Sequence, residues 1–235
     1  MDRMHRALPL ALTAAAAAAA LASAGVHPAP VPGQSKVIRF LALGDSYTIG
    51  ESVPEGERWP VLLADLLKER GQPTEVSIIA RTGWTTDELW GGIQGTQLSP
   101  PYDLVSLLIG VNNQYRGRPL EEYREDFHFL LLQAIGYAGG DPRRVVVLSI
   151  PDWGMTPFGR GREPEQVAVQ IDRFNAVNRE EAKGAGVQYV DITGESRADA
   201  PGPGFTAPDG LHPSGKMYAA WAELALPVTL EAISR

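Results

Sequence analysis

The sequence predicts an α/β fold in which helices cover both faces of a parallel five-stranded sheet, forming a three-layer α/β/α sandwich. Short runs rich in Val, Ile and Leu alternate with longer segments in which apolar residues recur every three or four positions. Several short runs are almost continuously apolar, which is typical of parallel strands that are buried on both faces. Strands that alternate with helices favour parallel pairing through right-handed crossovers.

The elements follow one another in a regular order. The predicted strands are residues 37–43, 75–79, 104–109, 145–150 and 188–191. The predicted helices are residues 59–70, 120–135, 167–183 and a final segment after Pro213. Each helical segment places its apolar residues on one face, as Val167, Ile171 and Phe174 do in the third. The stretches rich in Gly and Pro are therefore interpreted as loops within one domain.

Composition limits the possible functions. The chain has 235 residues, 44% of them hydrophobic, with a formal net charge of −7 and a pI of about 5.2. This length suits one globular domain with its own core. The acidic balance lacks the basic surface that binding to a nucleic-acid backbone requires. The sequence contains no cysteine, which excludes thiolate nucleophiles, thiolate metal sites and disulfides.

The N-terminal segment has the pattern of an export signal. Arg3 and Arg6 precede an apolar stretch, and Ala22-Ser23-Ala24 offers the small residues that a signal peptidase recognises. We expect residues 1–24 to be a signal peptide, 25–35 a flexible leader and 36–235 the domain of an exported, periplasmic or secreted protein. The alternative is an uncleaved membrane anchor, but the apolar stretch is shorter than the roughly 20 residues that span a bilayer.

Ligands of an open α/β sheet bind beyond the carboxyl ends of its strands. The segments at these ends are therefore the candidates for a site. They are Gly44-Asp45-Ser46, Ala80-Arg81-Thr82-Gly83-Trp84, Gly110-Val111-Asn112-Asn113, Pro151-Asp152-Trp153-Gly154 and the long loop that ends at Asp209 and His212. We expect all five to meet at one edge of the sheet.

Ser46 is the candidate nucleophile because it follows the first strand directly. A serine hydroxyl needs a base close to its oxygen, and a carboxylate commonly orients that base. Of the four histidines, His5 lies in the signal peptide, His27 in the leader and His128 within a predicted helix. Elimination leaves His212, which Asp209 can approach from three residues earlier. The structural alternatives are that Ser46, or the Asp209 and His212 pair, merely caps a helix.

Acyl transfer also needs donors aimed at the oxyanion that develops on the substrate. The backbone N–H groups of Ser46 and Gly83 and the side-chain amide of Asn112 are three candidates. Gly83 permits a close backbone approach because it has no Cβ, and Asn112 offers an uncharged donor. The alternatives are that Gly83 serves only a turn and that Asn112 only adopts a left-handed turn conformation.

Four blocks of this sequence resemble, in order and spacing, those of the SGNH superfamily of GDSL esterases and lipases. The blocks are Gly44-Asp45-Ser46, Gly83, Gly110-Val111-Asn112 and Asp209-Gly210-Leu211-His212. The resemblance extends over nearly all of the chain after Ser35. It implies a flavodoxin-like SGNH hydrolase fold with Ser46, His212 and Asp209 as catalytic triad and Ser46, Gly83 and Asn112 as oxyanion hole. The family often has Asp after the third-block Asn, whereas this chain has Asn113.

The resemblance implies a serine hydrolase of carboxylic esters, with small-molecule, glycan or lipid esters as substrates. Carbohydrate O-deacetylase, lysophospholipase or thioesterase activity on the same fold is the alternative, and a catalytically silent glycan-binding protein is the non-enzymatic one. Trp84, Trp153 and Phe158 are candidates for lining the substrate pocket. With one suitably placed histidine and no cysteine, the sequence predicts neither a metal nor a cofactor. It leaves the oligomeric state open.

Overall fold

The computed structural model describes residues 36–198 and 204–234, which contain one parallel sheet. The strands are β1 (Ile38–Gly44), β2 (Thr74–Ala80), β3 (Leu104–Leu108), β4 (Val145–Leu148) and β5 (Gln188–Val190). Their spatial order is β2-β1-β3-β4-β5, and every neighbouring pair is parallel. This is the flavodoxin-like order, so the predicted fold class is confirmed. The expected signal peptide and leader lie outside the described residues.

Helices cover both faces of the sheet. They are α1 (Ser46–Ile49), α2 (Trp59–Glu69), α3 (Thr86–Gln94), α4 (Val111–Tyr115), α5 (Leu120–Tyr137), α6 (Pro164–Gly184), α7 (Thr193–Ala198) and α8 (Gly215–Ile233). Helices α2 and α8 pack together on one face, while α5 packs between α3 and α6 on the other. The result is the predicted three-layer sandwich. Among the described residues, no helix combines the length and apolar character needed to cross a membrane.

The core lies between the sheet and its two helical layers. Leu41, Leu43, Leu107 and Val147 are fully buried in the three central strands. Strands covered on both faces need apolar residues at successive positions, which explains the continuous apolar runs of the sequence. The edge strand β2 differs, because Glu75 and Ser77 are exposed along it.

The predicted elements recur with small shifts at their ends. Strand β4 ends two residues before the predicted limit. At Ile150 the backbone forms hydrogen bonds with the side chain of Asn175 instead of with a neighbouring strand. The N–H of Ile150 donates to Asn175 Oδ1 at 2.7 Å, and the Ile150 carbonyl accepts from Asn175 Nδ2 at 2.9 Å. The last helix begins after Pro213, at Gly215, because Ser214 is its N-cap. Helices α1, α3, α4 and α7 are additional to the prediction.

The strands after β1 are added on two sides of it: β2 lies on one side, and β3, β4 and β5 follow on the other. The point where the order of addition changes lies between β1 and β3. At such a switch point the loops that follow the two strands diverge to opposite faces and leave a crevice between them. Ser46 follows β1 and Asn112 lies just beyond β3. The fold therefore places two of the candidate site residues on either side of this crevice.

Candidate active site

Ser46 occupies the first position of α1, directly after the turn that leaves β1. The Asp45 carboxylate caps this short helix, since its Oδ1 accepts a hydrogen bond from the Tyr47 N–H at 3.0 Å. Gly44 is required at the end of β1 because a Cβ there would collide with the Thr48 side chain. The capping residue is thus Asp45 rather than Ser46, which leaves the Ser46 hydroxyl free of that role.

Asp45 itself is completely buried, and its second carboxylate oxygen has no hydrogen-bond partner among the described residues. Burial raises the pKa of Asp45 to about 7, although hydrogen bonds from the backbone N–H groups of Tyr47 and of Asp45 itself favour the charged form. This carboxyl therefore has a structural role as the cap of α1.

Asp209 and His212 are in direct contact. Asp209 Oδ2 lies 2.6 Å from His212 Nδ1, and Asp209 Oδ1 accepts from the backbone N–H groups of Leu211 and His212, each at 2.9 Å. Partial burial alone would raise the pKa of the Asp209 carboxyl. Hydrogen bonds from Leu211, His212 and Ser52 outweigh that effect and lower this pKa to about 2. The carboxylate is therefore ionised at neutral pH and faces the imidazole.

The loop that carries this pair is held at both ends. The Ala207 N–H donates to the His212 carbonyl at 2.7 Å, and the Ser214 N–H donates to the Phe205 carbonyl at 3.0 Å. The His212 ring packs edge-on against Tyr47, with 5.9 Å between the ring centroids, and the residue is 8% exposed. Because Ser214 caps α8, neither Asp209 nor His212 is needed as the helix cap.

Ser46 and His212 line the same cleft. Its volume is about 180 Å³, and most of its surface is apolar. Its lining residues are Ser46, Tyr47, Thr82, Gly83, Val111, Asn112, Tyr115, Trp153, Phe158, Leu211 and His212. In the described part of the chain the Ser46 hydroxyl makes no hydrogen bond. It is therefore not hydrogen-bonded to the His212 ring in this structure. Such contacts commonly tighten only when a substrate binds.

Three candidate hydrogen-bond donors belong to residues that line this cleft: Ser46, Gly83 and Asn112. Within the described residues, the backbone N–H groups of Ser46 and Gly83 donate to no acceptor. Asn112 Nδ2 donates one of its two hydrogens to the Trp84 carbonyl at 2.9 Å, which fixes the amide and leaves the other hydrogen available. Gly83 has a φ of +87°, a conformation that favours glycine.

Two of the three predicted pocket residues form one wall of the cleft. Trp153 and Phe158 lie with their ring centroids 6.0 Å apart, and the exposed ring of Tyr115 packs against Trp153 at 5.5 Å. Trp84 is placed differently, since its indole ring packs against Gly92 of α3 and does not line the cleft. The contribution of Trp84 to the site is its carbonyl, which accepts from Asn112.

The contacts that Arg116 and Ser52 make were not expected from the sequence. Arg116 Nη2 donates to the Gly83 carbonyl at 2.6 Å, and its Nη1 pairs with Glu88 at 3.1 Å. The Ser52 hydroxyl donates to Asp209 at 2.7 Å. These contacts join residues from different loops, so no local sequence pattern signals them.

His128 lies on α5, within a helix as the sequence predicts. Its Nδ1 contacts Glu181 at 2.8 Å, away from the cleft. Of the two histidines in the described residues, only His212 lines the cleft.

Asn113 stands where the family often has Asp. It is buried, and its side chain is hydrogen-bonded to the first residue of α3. Asn113 Oδ1 accepts from the Thr86 N–H at 3.1 Å, and its Nδ2 donates to Thr86 Oγ1 at 2.8 Å. The Thr86 hydroxyl in turn donates to Asp126 at 2.8 Å. Asn113 therefore anchors the start of α3 and does not line the cleft.

Comparison with known proteins agrees with this geometry. Residues 42–220 match the model of the GDSL-like lipase/acylhydrolase family. The chain belongs to this family. Family membership supports a hydrolase that acts on esters, and the parallel sheet with helices on both sides is the fold of its structural neighbours.

Three relatives illustrate the similarity. An arylesterase of Vibrio mimicus is 37% identical over 83 residues, a match that covers 34% of this GDSL-family chain and 40% of that protein's length. The lipase/acylhydrolase from Enterococcus faecalis has a TM-score of 0.65 at 21% identity, covering 83% of this chain and 95% of that one. The Clostridium thermocellum family 3 carbohydrate esterase has a TM-score of 0.66 at 19% identity, covering 85% and 98%.

Proposed function

We propose that this GDSL-family protein is a serine esterase that hydrolyses carboxylic esters through an acyl-enzyme. The observation that carries the proposal is that one cleft is lined by Ser46, by His212 paired with Asp209, and by the three residues that offer oxyanion donors, Ser46, Gly83 and Asn112. A nucleophile, a base, a group that orients the base and a set of oxyanion donors are the parts that acyl transfer requires. A binding module has no need of the Asp209–His212 pair.

In the first half of the reaction, Ser46 Oγ attacks the ester carbonyl carbon while His212 Nε2 takes the hydroxyl proton. Asp209 holds Nδ1 of the ring and stabilises the imidazolium that forms. The N–H groups of Ser46 and Gly83 and the Asn112 amide donate to the oxyanion. When the C–O bond breaks, His212 gives its proton to the leaving alcohol, and the acyl group remains on Ser46.

In the second half, water replaces the alcohol. His212 Nε2 removes a proton from this water as its oxygen attacks the acyl carbon, and the same donors stabilise the second oxyanion. Collapse of the intermediate returns the proton to Ser46 Oγ and releases the carboxylic acid. The aromatic wall formed by Tyr115, Trp153 and Phe158 accepts the apolar part of the ester.

The decisive experiment is a substrate panel assayed with the wild-type protein and with Ser46→Ala. The panel contains aryl esters of increasing acyl chain length, acetylated glycans, lysophospholipids and acyl thioesters. We expect turnover of carboxylic esters, and a fall in Ser46→Ala by at least about 10³-fold with an unchanged unfolding transition. A wild-type rate in Ser46→Ala would reject the mechanism.

Carbohydrate O-deacetylation is the second candidate activity, because one ring of the cleft is open to solvent. Tyr115 is 54% exposed at the mouth, where a sugar ring could stack on its face. The same panel distinguishes the two activities: preference for acetylated glycans over longer acyl esters would select the deacetylase. Binding of glycans without turnover of any ester would instead support a silent glycan-binding protein.

We further propose that the protein is exported with residues 1–24 as its signal peptide. The small residues Ala22-Ser23-Ala24 after an apolar stretch support this proposal. The mass of the protein recovered outside the cytoplasm should correspond to a chain that begins at Gly25. Recovery of the intact chain from the cytoplasm would contradict it.

A further inference from the structure

Ser52 makes a contact that the proposed mechanism has not used. Its hydroxyl donates to Asp209 Oδ2 at 2.7 Å, and this is the same oxygen that lies 2.6 Å from His212 Nδ1. The other oxygen of the carboxylate is satisfied within its own loop by the N–H groups of Leu211 and His212. In the hydrogen bonds of the described residues, Ser52 is the partner that reaches Asp209 from outside that loop.

The backbone of Ser52 is also unusual. Its φ is +66°, in the left-handed region that residues with a side chain seldom adopt. Such a conformation persists where the surrounding structure imposes it, and it is a reason to look for a functional contact. The conformation here directs the Ser52 hydroxyl to Asp209, so the backbone outlier and the hydrogen bond are two observations on the same residue.

Ser52 also lies close in sequence to the proposed nucleophile. Helix α1 is capped at its C-terminus by Gly50, whose φ of +69° turns the chain, and the Glu51 N–H donates to the Ser46 carbonyl at 3.0 Å. Ser52 is the next residue. The turn that begins at Ser46 therefore ends in a hydrogen bond to the loop of Asp209, and it links the segment of the nucleophile to the segment of the base.

We propose that Ser52 is a positioning residue that fixes the Asp209 carboxylate and, through it, the orientation of the His212 ring. The proposal rests on the esterase mechanism proposed above. The hydroxyl acts on the rate through Asp209 and does not line the cleft, so it affects the chemical steps without affecting substrate binding. Loss of this hydrogen bond leaves Oδ2 with one partner and lets the carboxylate turn away from Nδ1.

Two substitutions remove the Ser52 hydroxyl but differ in the backbone strain that they leave. Ser52→Gly relieves the left-handed conformation, whereas Ser52→Ala retains it. We expect both to lower kcat about fivefold or more at unchanged KM, while only Ser52→Gly keeps or raises the unfolding temperature. Ser234→Ala, which removes an exposed hydroxyl bonded to the Glu231 carbonyl, is the matched control with wild-type kinetics. An unchanged kcat, or a kcat that follows stability, overturns the proposal.

A double-mutant cycle tests whether Ser52 acts through Asp209. In an Asp209→Ala background, Ser52→Gly should have no further effect on kcat, because the group that it positions is absent. Full additivity of the two losses would overturn the proposal. Failure of the esterase mechanism is distinguishable: wild-type rates in Ser46→Ala and Asp209→Ala reject the triad itself, whereas large losses there with an unaffected Ser52→Gly reject only the role of Ser52.

Discussion

The Asn112 side chain is anchored by a hydrogen bond from its Nδ2 to the Trp84 carbonyl, 2.9 Å away. This bond joins the loop after β3 to the loop after β2, and it occupies one of the two hydrogens of the amide. The remaining hydrogen has no acceptor among the described residues, and Asn112 lines the cleft together with Ser46 and His212. An amide held in this way before substrate arrives needs no reorganisation during the reaction.

Asn112→Ala should therefore lower kcat by about 10²- to 10³-fold, with little change in KM, because the donor acts mainly on the oxyanion. Steady-state kinetics on the best ester of the panel would measure both constants. Stability should decrease by only about 1 kcal/mol, the contribution of one hydrogen bond to Trp84, as measured by urea unfolding. If kcat stays at the wild-type value, Asn112 is not part of the oxyanion hole.

Phe158→Ala should change the preference for the acyl or alcohol group. Phe158 and Trp153 form the apolar wall, so removal of one ring should reduce kcat/KM about tenfold for esters with a bulky apolar group. Acetyl esters of small alcohols should be almost unaffected. The control is Phe129→Ala, which truncates an exposed phenylalanine on α5 that packs against Trp90. Equal losses for small and bulky esters would argue against a pocket role for Phe158.

Asn113→Asp should reduce stability without reducing activity, although the family often has Asp at this position. The Thr86 hydroxyl already donates to Asp126, so a second carboxylate would face it without a proton to share. The expected loss is about 1–3 kcal/mol in the free energy of unfolding, measured in urea at neutral pH. The loss should shrink at acidic pH, where the introduced carboxyl group is protonated and can donate. A constant difference across pH would exclude this electrostatic cause.

Stability should depend on pH through Asp45. Its pKa is raised by burial to about 7 in the folded protein, from an ordinary value of 3.8, so the folded state keeps a proton that the unfolded state loses. The stabilisation is complete below pH 3.8 and decreases as the pH rises towards 7. The difference in unfolding free energy between wild type and Asp45→Asn, measured from about pH 4 to 8, should follow this slope. A difference that does not vary with pH would contradict the assigned protonation.

Asp209 affects the free energy of unfolding with the opposite dependence on pH, and it does so at lower pH than Asp45. Its pKa of about 2 lies below the ordinary 3.8, so its stabilisation is present above pH 3.8 and is lost as the pH falls towards 2. The two carboxyls therefore affect separate ranges of pH. Measurements at and above about pH 4 report Asp45 with little contribution from Asp209.

The sheet and the long helices could be predicted from the sequence because hydrophobic burial determines their pattern. A strand covered on both faces must be apolar at nearly every position, as β3 is, and a long helix must repeat its apolar residues every three to four positions. Helices α1 and α4 have four and five residues and are too short to show such a period. Helix α3 did leave a signal, since Thr85 and Glu88 form a capping box at its start.

The candidate site divides in the same way. Strand ends and the family resemblance indicate five candidate residues: Ser46, Gly83, Asn112, Asp209 and His212. In the structure all but Asp209 line one cleft, and Asp209 contacts the His212 ring. The contacts of Ser52 and Arg116 have no signal in the sequence because they depend on tertiary structure. The ring of Trp84 was misplaced because a loop sequence does not tell which side of the loop faces the cleft.

The packing of α8 against α2 has a practical meaning for work on this protein. The loop of Asp209 and His212 leads directly into α8, so the position of that helix determines the position of the loop. Ser46, in contrast, follows the first strand of the sheet. A partly folded chain that has formed the sheet but has not docked α8 would possess the proposed nucleophile without the proposed base. Recovery of ester turnover during refolding would then report the last docking step, and comparison with recovery of helix or sheet signals would time that step against the rest of the domain.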